Sequence, residues 1–397
     1  RWSPWDSPSP ERLTMDILFW SAIAVLAFTY LGYPVVMALL AKLRVSPVQS
    51  IAQTPSVDVL LVVHDAADLI TGKVANLFDL DYPADCLRIN IVCDGCTDET
   101  ESIARGCASA RVRVFAFAER RGKSACIGRA LPLLDAEIVL FTDVRQTVDS
   151  GAARALVAAL SAPGIGAASG ELVLDGATGY GDGINAYWRY EKMIRRFESA
   201  SGSLVGVTGA LYAARREAIQ DVPAGLILDD MWIPLAIAEA GYRVVFVPQA
   251  IAHDQAASDA AAEEIRKRRT LMGNYQLLHR WPRLAIPGGH PLAWRLWGHK
   301  WLRLLAPWLL LLALASNIAL SLTGGRFYLA LLCMQIGAYV LAVLARQHPR
   351  LAAAWRPARM AAAFFSLNMS ALLALTDYLR NPNAHLWQTT PLSEPSR

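Results

Sequence analysis

Carboxylates follow three of the most apolar, β-branched runs of the sequence, where they could act on a phosphorylated substrate. Asp65 follows the first run, Asp94 the second and Asp143 a later one. Asp65 and Asp98 are each also explained as helix N-caps, because Asp accepts hydrogen bonds from free backbone N–H groups. Acidic groups that gather at one edge of a sheet suit hydrogen bonding to a base or sugar, and binding of a divalent cation that bridges phosphates.

A basic tetrapeptide, Arg-Arg-Gly-Lys, supplies the opposite charge. Its Arg120, Arg121 and Lys123 could neutralise a diphosphate, although such a run is often only a solvated turn. The chain contains no Walker loop, GxGxxG fingerprint, HExxH or GxSxG motif. This disfavours P-loop NTPases, dinucleotide oxidoreductases, zincins and serine hydrolases, and leaves transfer chemistry on an activated phosphate ester.

A predicted series of strands and helices positions these side chains. Four runs have the largely apolar, β-branched character of buried parallel strands: Val57 to Val63, Leu87 to Val92, Val112 to Ala116 and Glu137 to Phe141. A stretch that could hold a helix separates each run from the next. The alternation predicts an α/β fold, an open sheet with helices on both faces, whose ligands bind at the carboxyl ends of the strands.

The composition indicates a membrane protein. Of the 397 residues 54% are hydrophobic and 18% charged, and the mean hydropathy is +0.30, too apolar for an ordinary soluble protein. The net charge of +4, from 38 basic and 34 acidic residues, is too small to suggest a nucleic-acid partner. A hydrocarbon core needs roughly 20 residues, and we expect transmembrane helices at 17–41, 304–323, 327–345 and 360–376.

The remaining segments are an N-terminal tail (1–16), a large folded domain (50–285), an amphipathic interface helix (289–303) and a C-terminal tail (377–397). Basic residues border the large domain, so the positive-inside rule places it in the cytoplasm, with both termini outside, in a multi-pass protein of the inner (cytoplasmic) membrane. Thiols stay reduced in the cytoplasm.

Two side-chain patterns leave alternatives open. Cys93 and Cys96 form a CxxC, for which zinc or redox chemistry must be weighed, although a second pair at zinc spacing is missing. Tryptophans at spacings of three, four and seven place one face of the interface helix at the headgroup level, with sugar stacking as the alternative. These are Trp294, Trp297, Trp301 and Trp308.

Several short motifs resemble those of family 2 glycosyltransferases. Asp94-Gly-Cys-Thr-Asp98 resembles their DGSTD signature, with Cys96 in place of the usual Ser. Thr142-Asp143 resembles the start of their DxD motif. The segment from Gly206 to Arg216, which contains Gly209, is similar to their acceptor-side strand.

Two further motifs extend the resemblance toward the membrane-embedded polysaccharide synthases, of the cellulose, hyaluronan and poly-N-acetylglucosamine types. Leu228-Asp-Asp230 resembles the TED motif, and Glu264 to Gly273 resembles the helix that carries QxxRW. The match runs in order from about Val57 to about Trp308 and includes the flanking membrane helices.

The resemblance implies a GT-A fold, Rossmann-like with a mixed sheet, and inversion at the anomeric carbon of a nucleotide sugar. By motif position Asp65 and Asp94 would hold the nucleoside, and Lys123 would lie near the nucleotide. Asp143 would bind Mg2+ or Mn2+ on the diphosphate. Asp230 would be the general base, which suits an inverting transfer because no enzyme nucleophile is needed.

Asp229 would orient the site, and the Asp229-Asp230 pair is otherwise explained as a helix N-cap. The sequence departs from the family pattern at the DxD motif, whose second carboxylate is replaced by Arg145. His253 is a candidate substitute ligand, although a lone His is more often structural.

The QxxRW motif is also altered. Thr270 replaces its Trp and Arg266 its Gln, which leaves Arg266 and Arg269 as candidates for binding the diphosphate and puts processive synthesis in doubt. The alternative for these arginines is a basic helix face near anionic lipid.

The sequence therefore predicts a membrane glycosyltransferase that uses a nucleotide sugar, a UDP-sugar by preference, and a polysaccharide or lipid-linked glycan acceptor. Membrane lipid and accessory polysaccharide-export proteins are further expected partners. A polyprenyl-phosphate sugar synthase and a catalytically inactive membrane scaffold are the alternatives.

Overall fold

The protein is represented by a computed structural model that describes residues 10–43, 54–175, 181–255, 260–323, 325–381 and 385–386. Residues 1–9 of the predicted N-terminal tail and most of the predicted C-terminal tail lie outside these ranges.

The chain forms one sheet and a set of helices. The strands are β1 (Val57–Val63), β2 (Leu87–Asp94), β3 (Val112–Phe117), β4 (Ile138–Thr142), β5 (Thr147–Val148), β6 (Ile165–Asp175), β7 (Leu211–Arg215) and β8 (Arg243–Gln255). The helices are α1 (Pro10–Ala27), α2 (Tyr33–Leu43), α3 (Ala67–Phe78), α4 (Thr100–Gly106), α5 (Lys123–Ala130), α6 (Ala152–Leu160), α7 (Gly181–Ala200), α8 (Asp229–Glu239), α9 (Ala260–Arg280), α10 (Ala293–Leu296), α11 (Leu302–Thr323), α12 (Arg326–Gln347), α13 (Pro349–Ala354) and α14 (Arg356–Arg380).

The sheet is mixed, with the strand order β3-β2-β1-β4-β7-β6-β8-β5. β3, β2, β1 and β4 are parallel neighbours, so their carboxyl ends share one rim. β7 runs antiparallel to its neighbours β4 and β6. It therefore begins at the same rim at which β4 ends. The four strands predicted from the sequence are all present.

Burial on both faces explains the nearly unbroken apolar run of β1. Val59 and Leu61 pack into the core on one face of the sheet, and Leu60 and Val62 pack into the core on the other. A strand buried on both faces has no reason to alternate with polar residues.

In the part of the chain that the structure describes, four helices are long and apolar enough to cross a membrane: Pro10–Leu43, Ala293–Thr323, Arg326–Gln347 and Arg356–Arg380. They contain the four predicted spans. The predicted interface helix at 289–303 is not separate from the span that follows it, because α10, a π turn at Trp297–Trp301 and α11 are continuous.

The expected single exposed face of tryptophans is wrong. Trp301 is only 2% exposed and packs in the core beside α8, and the Trp297 indole donates to the Ala285 carbonyl at 2.9 Å. Trp294 and Trp308 are exposed. The π turn has more residues per turn than an α-helix, and it therefore rotates the positions that follow it.

The C-terminal half of α14 packs on α9. Asp377 forms an ion pair with Arg268, and the Tyr275 hydroxyl donates to the Ala371 carbonyl at 3.3 Å. The end of α14 therefore lies beside the α/β domain. The expectation that both termini lie on the face opposite this domain is wrong for this end, because the positive-inside rule uses only loop charge and cannot register such packing.

Gly95, in the loop after β2, shows how closely the loops at this rim pack against one another. Its φ is +57°, and a Cβ there would lie 2.4 Å from the Arg120 backbone nitrogen. We expect Gly95→Ala to destabilise the protein by about 1–3 kcal/mol, measured by thermal unfolding in detergent. Gly72→Ala is the matched control, because Gly72 is an exposed helical position with nothing within 4 Å of the added Cβ, and it should stabilise by about 0.5–1 kcal/mol. If Gly95→Ala and Gly72→Ala changed the stability of the protein equally, the close packing around Gly95 would be contradicted.

Candidate active site

The predicted carboxylates meet at one rim of the sheet. Asp94 ends β2, Asp143 directly follows β4, and Asp65 lies two residues after β1. Because these strands are adjacent and parallel, the three residues share the carboxyl edge, as the sequence predicts.

Asp94 holds the basic loop rather than facing open space. It is fully buried, and its Oδ1 and Oδ2 accept from the backbone N–H groups of Arg121 at 2.8 Å and Gly122 at 2.9 Å. Helix α5 begins at the next residue, Lys123. Asp94 thus fixes where Lys123 starts, and its predicted contact with a nucleoside stays a prediction.

Asp65 joins the ends of β1 and β2. Its carboxylate accepts from the Thr97 N–H at 2.7 Å and from the Thr97 hydroxyl at 2.9 Å. Partial burial raises the pKa of Asp65, but the bonds from Thr97 outweigh it and leave the pKa below its usual value. Asp98 accepts from the first N–H groups of α3 and α4, which is the capping role considered for it.

The ammonium of Lys123 lies between two carboxylates. Its Nζ is 2.7 Å from Asp143 Oδ1 and 3.6 Å from Asp229 Oδ2. Burial lowers the pKa of Lys123, but Asp143, Asp229 and Asp230 together raise it above its usual value. Lys123 therefore remains charged in this site.

The loop before α8 is clamped by α5 and α9. The Leu226 N–H donates to Ser124 Oγ at 2.9 Å, and the Ile227 N–H donates to Gln276 Oε1 at 2.8 Å. These bonds fix the start of α8, where Asp229 and Asp230 are the first two helical residues.

Asp230 has the properties of a general base. Burial raises its pKa most, Asp229 raises it further, and Lys123 opposes them, which leaves the pKa of Asp230 at about 7. Gly209 lies against it, and a Cβ at Gly209 would be 3.3 Å from Asp230 Oδ2. The glycine therefore leaves room beside the carboxylate that a larger residue would fill.

Of the two predicted arginines of α9, the contacts favour Arg269. Burial lowers the pKa of Arg269, and the opposing charges that act on it are Asp229, Asp230 and Asp143, so it faces the carboxylates. Arg266 lies three residues earlier, and its carbonyl accepts from the Thr270 hydroxyl. The role predicted for Arg266 stays a prediction.

His385 lies beside Arg269 and the loop that contains Gly122. Its carbonyl accepts from Arg269 Nη2 at 3.3 Å, and its ring lies 2.9 Å from the position of a Cβ on Gly122. No sequence pattern predicts this contact, because His385 falls in the predicted C-terminal tail, far along the chain from the loop it covers.

His253 does not replace the missing carboxylate of the DxD motif. Its Nδ1 is 3.1 Å from Asp175 Oδ2 and its Nε2 is 3.1 Å from Asp149 Oδ1, so both ring nitrogens have partners. Arg145 at the third DxD position pairs with Asp254 at 2.6 Å. The structural interpretation of His253 therefore holds.

Comparisons with known proteins identify the family of the chain. The family model described as "Glycosyl transferase family group 2" matches residues 138–342, just over half of the chain. The chain belongs to this glycosyltransferase family.

One protein is similar to this chain in sequence and another is similar in structure. The chain is 26% identical over 219 residues to an N-acetylglucosaminyltransferase of Azorhizobium caulinodans, a match that covers 50% of this chain and spans about half (54%) of that relative's length. The structure resembles the mannosyltransferase PcManGT from Pyrobaculum calidifontis, solved with GDP-Man and Mn2+. The TM-score is 0.66 at 25% identity, covering 89% of this chain and 99% of that one.

Because PcManGT was solved with Mn2+, the fit of a divalent cation can be tested on the residues present. Asp143, Asp229 and Asp230 face one ammonium, Lys123, and Asp229 Oδ2 is buried without a hydrogen bond from the described part of the chain. Oxygen-only ligands with surplus negative charge fit Mg2+ or Mn2+.

A second group of ligand atoms has different chemistry. Among the described residues, His64, Asp65 and Cys96 place one ligand atom each within 4.8 Å of one another. This mixed nitrogen, oxygen and sulfur set suits softer metals than Mg2+ or Mn2+. Cys93 and Cys96 are free thiols, and their mutual hydrogen bond raises the pKa of Cys93 and lowers that of Cys96.

The pKa of Asp230 predicts the pH dependence of this glycosyltransferase. A base must be ionised, so the rate of sugar transfer should be low below pH 7, rise through about 7 and then level off. Asp230→Asn should lower kcat by roughly 10²–10⁴-fold. Asp81→Asn, which alters an exposed carboxylate paired with Arg154, is the matched control and should retain the rate. Full activity of the Asp230→Asn variant would show that Asp230 is not the general base.

Proposed function

We propose that the protein is an inverting hexosyltransferase that moves a sugar from a nucleotide sugar to a hydroxyl group of a glycan acceptor. The observation that carries the proposal is the position of Asp230. A carboxylate with a pKa near neutrality lies beside an ammonium and two further carboxylates that suit a diphosphate and its cation.

Asp230 and Lys123 have different roles in the proposed reaction. Asp230 takes the proton of the acceptor hydroxyl, and the resulting oxygen attacks the anomeric carbon from the side opposite the diphosphate. The C–O bond to the diphosphate breaks with its electron pair on the leaving oxygen. Lys123 stabilises that growing negative charge because its ammonium is already fixed in place.

A divalent cation, Mg2+ or Mn2+, held by Asp143 and Asp229 would supply further positive charge to the leaving diphosphate. Arg269 faces the same carboxylates and suits the outer phosphate oxygens. Asp94 acts by holding the loop that carries Lys123.

The donor is a nucleotide-activated hexose. PcManGT was solved with GDP-Man, and the curated relative is an N-acetylglucosaminyltransferase. We retain a UDP-sugar as the first choice and a GDP-sugar as the alternative. The catalytic domain would face the cytoplasm of the inner membrane, where it could meet a polysaccharide or lipid-linked acceptor and, for a secreted product, export proteins.

A polyprenyl-phosphate sugar synthase is the second candidate. Transfer to a phosphate needs no general base, because a phosphate oxygen is already ionised. The placement of Asp230 next to Gly209 favours a hydroxyl acceptor instead. An inactive scaffold is disfavoured because Lys123, Asp143 and Asp230 are assembled together.

Donor binding can be measured without knowledge of the acceptor. We expect one of a panel of UDP-, GDP- and dTDP-sugars to raise the melting temperature of the detergent-purified protein, with a larger shift when Mn2+ or Mg2+ is present. Asp143→Asn should remove most of the metal-dependent part, since it loses a cation ligand, and Asp81→Asn should keep it. A shift of equal size with and without metal in the wild-type protein would contradict the cation site.

A further inference from the structure

A cluster of three different side chains lies at the ends of β1 and β2. His64 and Asp65 directly follow β1, and Cys96 lies in the loop after β2. Each side chain offers one ligand atom, and the three atoms lie within 4.8 Å of one another. Cys96 stands where the DGSTD signature has Ser, so the resemblance to the family does not explain its thiol.

The ring of His64 is held in an orientation that suits a metal ligand. Its Nδ1 lies 2.8 Å from the Asp94 carbonyl oxygen, and the side chain is buried. Because a carbonyl oxygen only accepts hydrogen bonds, Nδ1 carries the proton, and Nε2 presents its lone pair in the neutral ring. Histidines that bind metals commonly donate from their second ring nitrogen to a backbone carbonyl in this way.

Asp65 supplies the neighbouring ligand atom. Its Oδ2 lies 3.4 Å from His64 Nε2, close to the separation of about 3.3 Å between nitrogen and oxygen ligands of a tetrahedral zinc ion. Hydrogen bonds from Thr97 to both carboxylate oxygens fix the group, as is usual for carboxylates that bind metals. The Asp65 side chain is 32% exposed, so an ion can reach it from solvent.

Cys96 is suited to bind a metal as a thiolate. Its Sγ lies 3.8 Å from the Val63 carbonyl oxygen, which places the sulfur beside the end of β1. The hydrogen bond with Cys93 lowers the pKa of Cys96, and the thiolate is the form that binds metals. One thiolate and one carboxylate carry two negative charges, which balance the charge of a divalent cation.

The ligand atoms favour zinc over the cation of the carboxylate site. One nitrogen, one oxygen and one sulfur match the ligands that Zn2+ takes, and three protein ligands leave a fourth position for water. Mg2+ and Mn2+ prefer oxygen ligands, which Asp143 and Asp229 offer at the proposed donor site.

We propose that His64 Nε2, Asp65 Oδ2 and Cys96 Sγ form a zinc-binding site that is separate from the proposed Mg2+ or Mn2+ site. The ion joins the loop after β1 to the loop after β2. Because Asp65 is also the predicted nucleoside contact, zinc in this site excludes the nucleotide sugar from that contact. This consequence rests on the proposed function, whereas zinc binding itself does not.

Zinc binding to the tag-free, detergent-purified full chain tests the site. The protein is kept reduced and in excess Mg2+, which fills the site with oxygen ligands. His64→Asn should raise the Kd for Zn2+ at least about tenfold, because the Asn amide can keep the bond to the Asp94 carbonyl but has no atom in place of Nε2. Cys96→Ser should also raise it, whereas Cys107→Ser, at the far end of α4, should not.

Cobalt identifies the sulfur ligand. Co2+ can replace Zn2+ at sites with nitrogen and sulfur ligands, and a thiolate bound to it gives a charge-transfer absorption band. We expect this band in the wild-type protein and in Cys107→Ser, and its loss in Cys96→Ser. The melting temperature without zinc or cobalt shows whether each variant is folded. A band of wild-type intensity in Cys96→Ser, or unchanged zinc affinity in both His64→Asn and Cys96→Ser, would overturn the proposal.

Donor binding separates the zinc site from the proposed function. Zn2+ should reduce the rise in melting temperature that a nucleotide sugar causes in the wild-type protein, but not in Cys96→Ser, which lacks the sulfur ligand. An equal reduction in both proteins would overturn the exclusion of the donor by this site. Absence of stabilisation by every nucleotide sugar would contradict the proposed function and leave zinc binding standing.

Discussion

The ammonium of Lys123 between Asp143 and Asp229 is the contact on which the site depends. Charged groups that are withdrawn from water are costly unless they are paired, and these ion pairs join side chains from three parts of the chain. β4 supplies Asp143, α5 supplies Lys123 and α8 supplies Asp229 and Asp230. Burial, Asp229 and Asp143 raise the pKa of Asp230 more than Lys123 and Lys300 lower it.

The candidate membrane helices are joined to the α/β domain by buried charges. The π turn places His299 between the Glu191 and Glu198 carboxylates of α7. Because a carboxylate left without its partner inside a protein is costly, these contacts fix how the helices pack on the domain.

Local sequence patterns predicted the parts of this arrangement that depend on local chemistry. The run of β1 is almost entirely apolar because both of its faces are buried. Residues after adjacent parallel strands must share a rim, so Asp65, Asp94 and Asp143 could be placed together. Contacts between distant segments could not be predicted in this way. His385 covers Gly122 only because α14 returns to α9.

The proposed chemistry has a direct stereochemical consequence. One base and no enzyme nucleophile permit a single displacement, so the sugar in the product should have the anomeric configuration opposite to that in the donor. Proton NMR of the anomeric signal in the first product formed from an α-linked nucleotide sugar decides this point. A β-linked product is the result that the account predicts, and an α-linked product would contradict it.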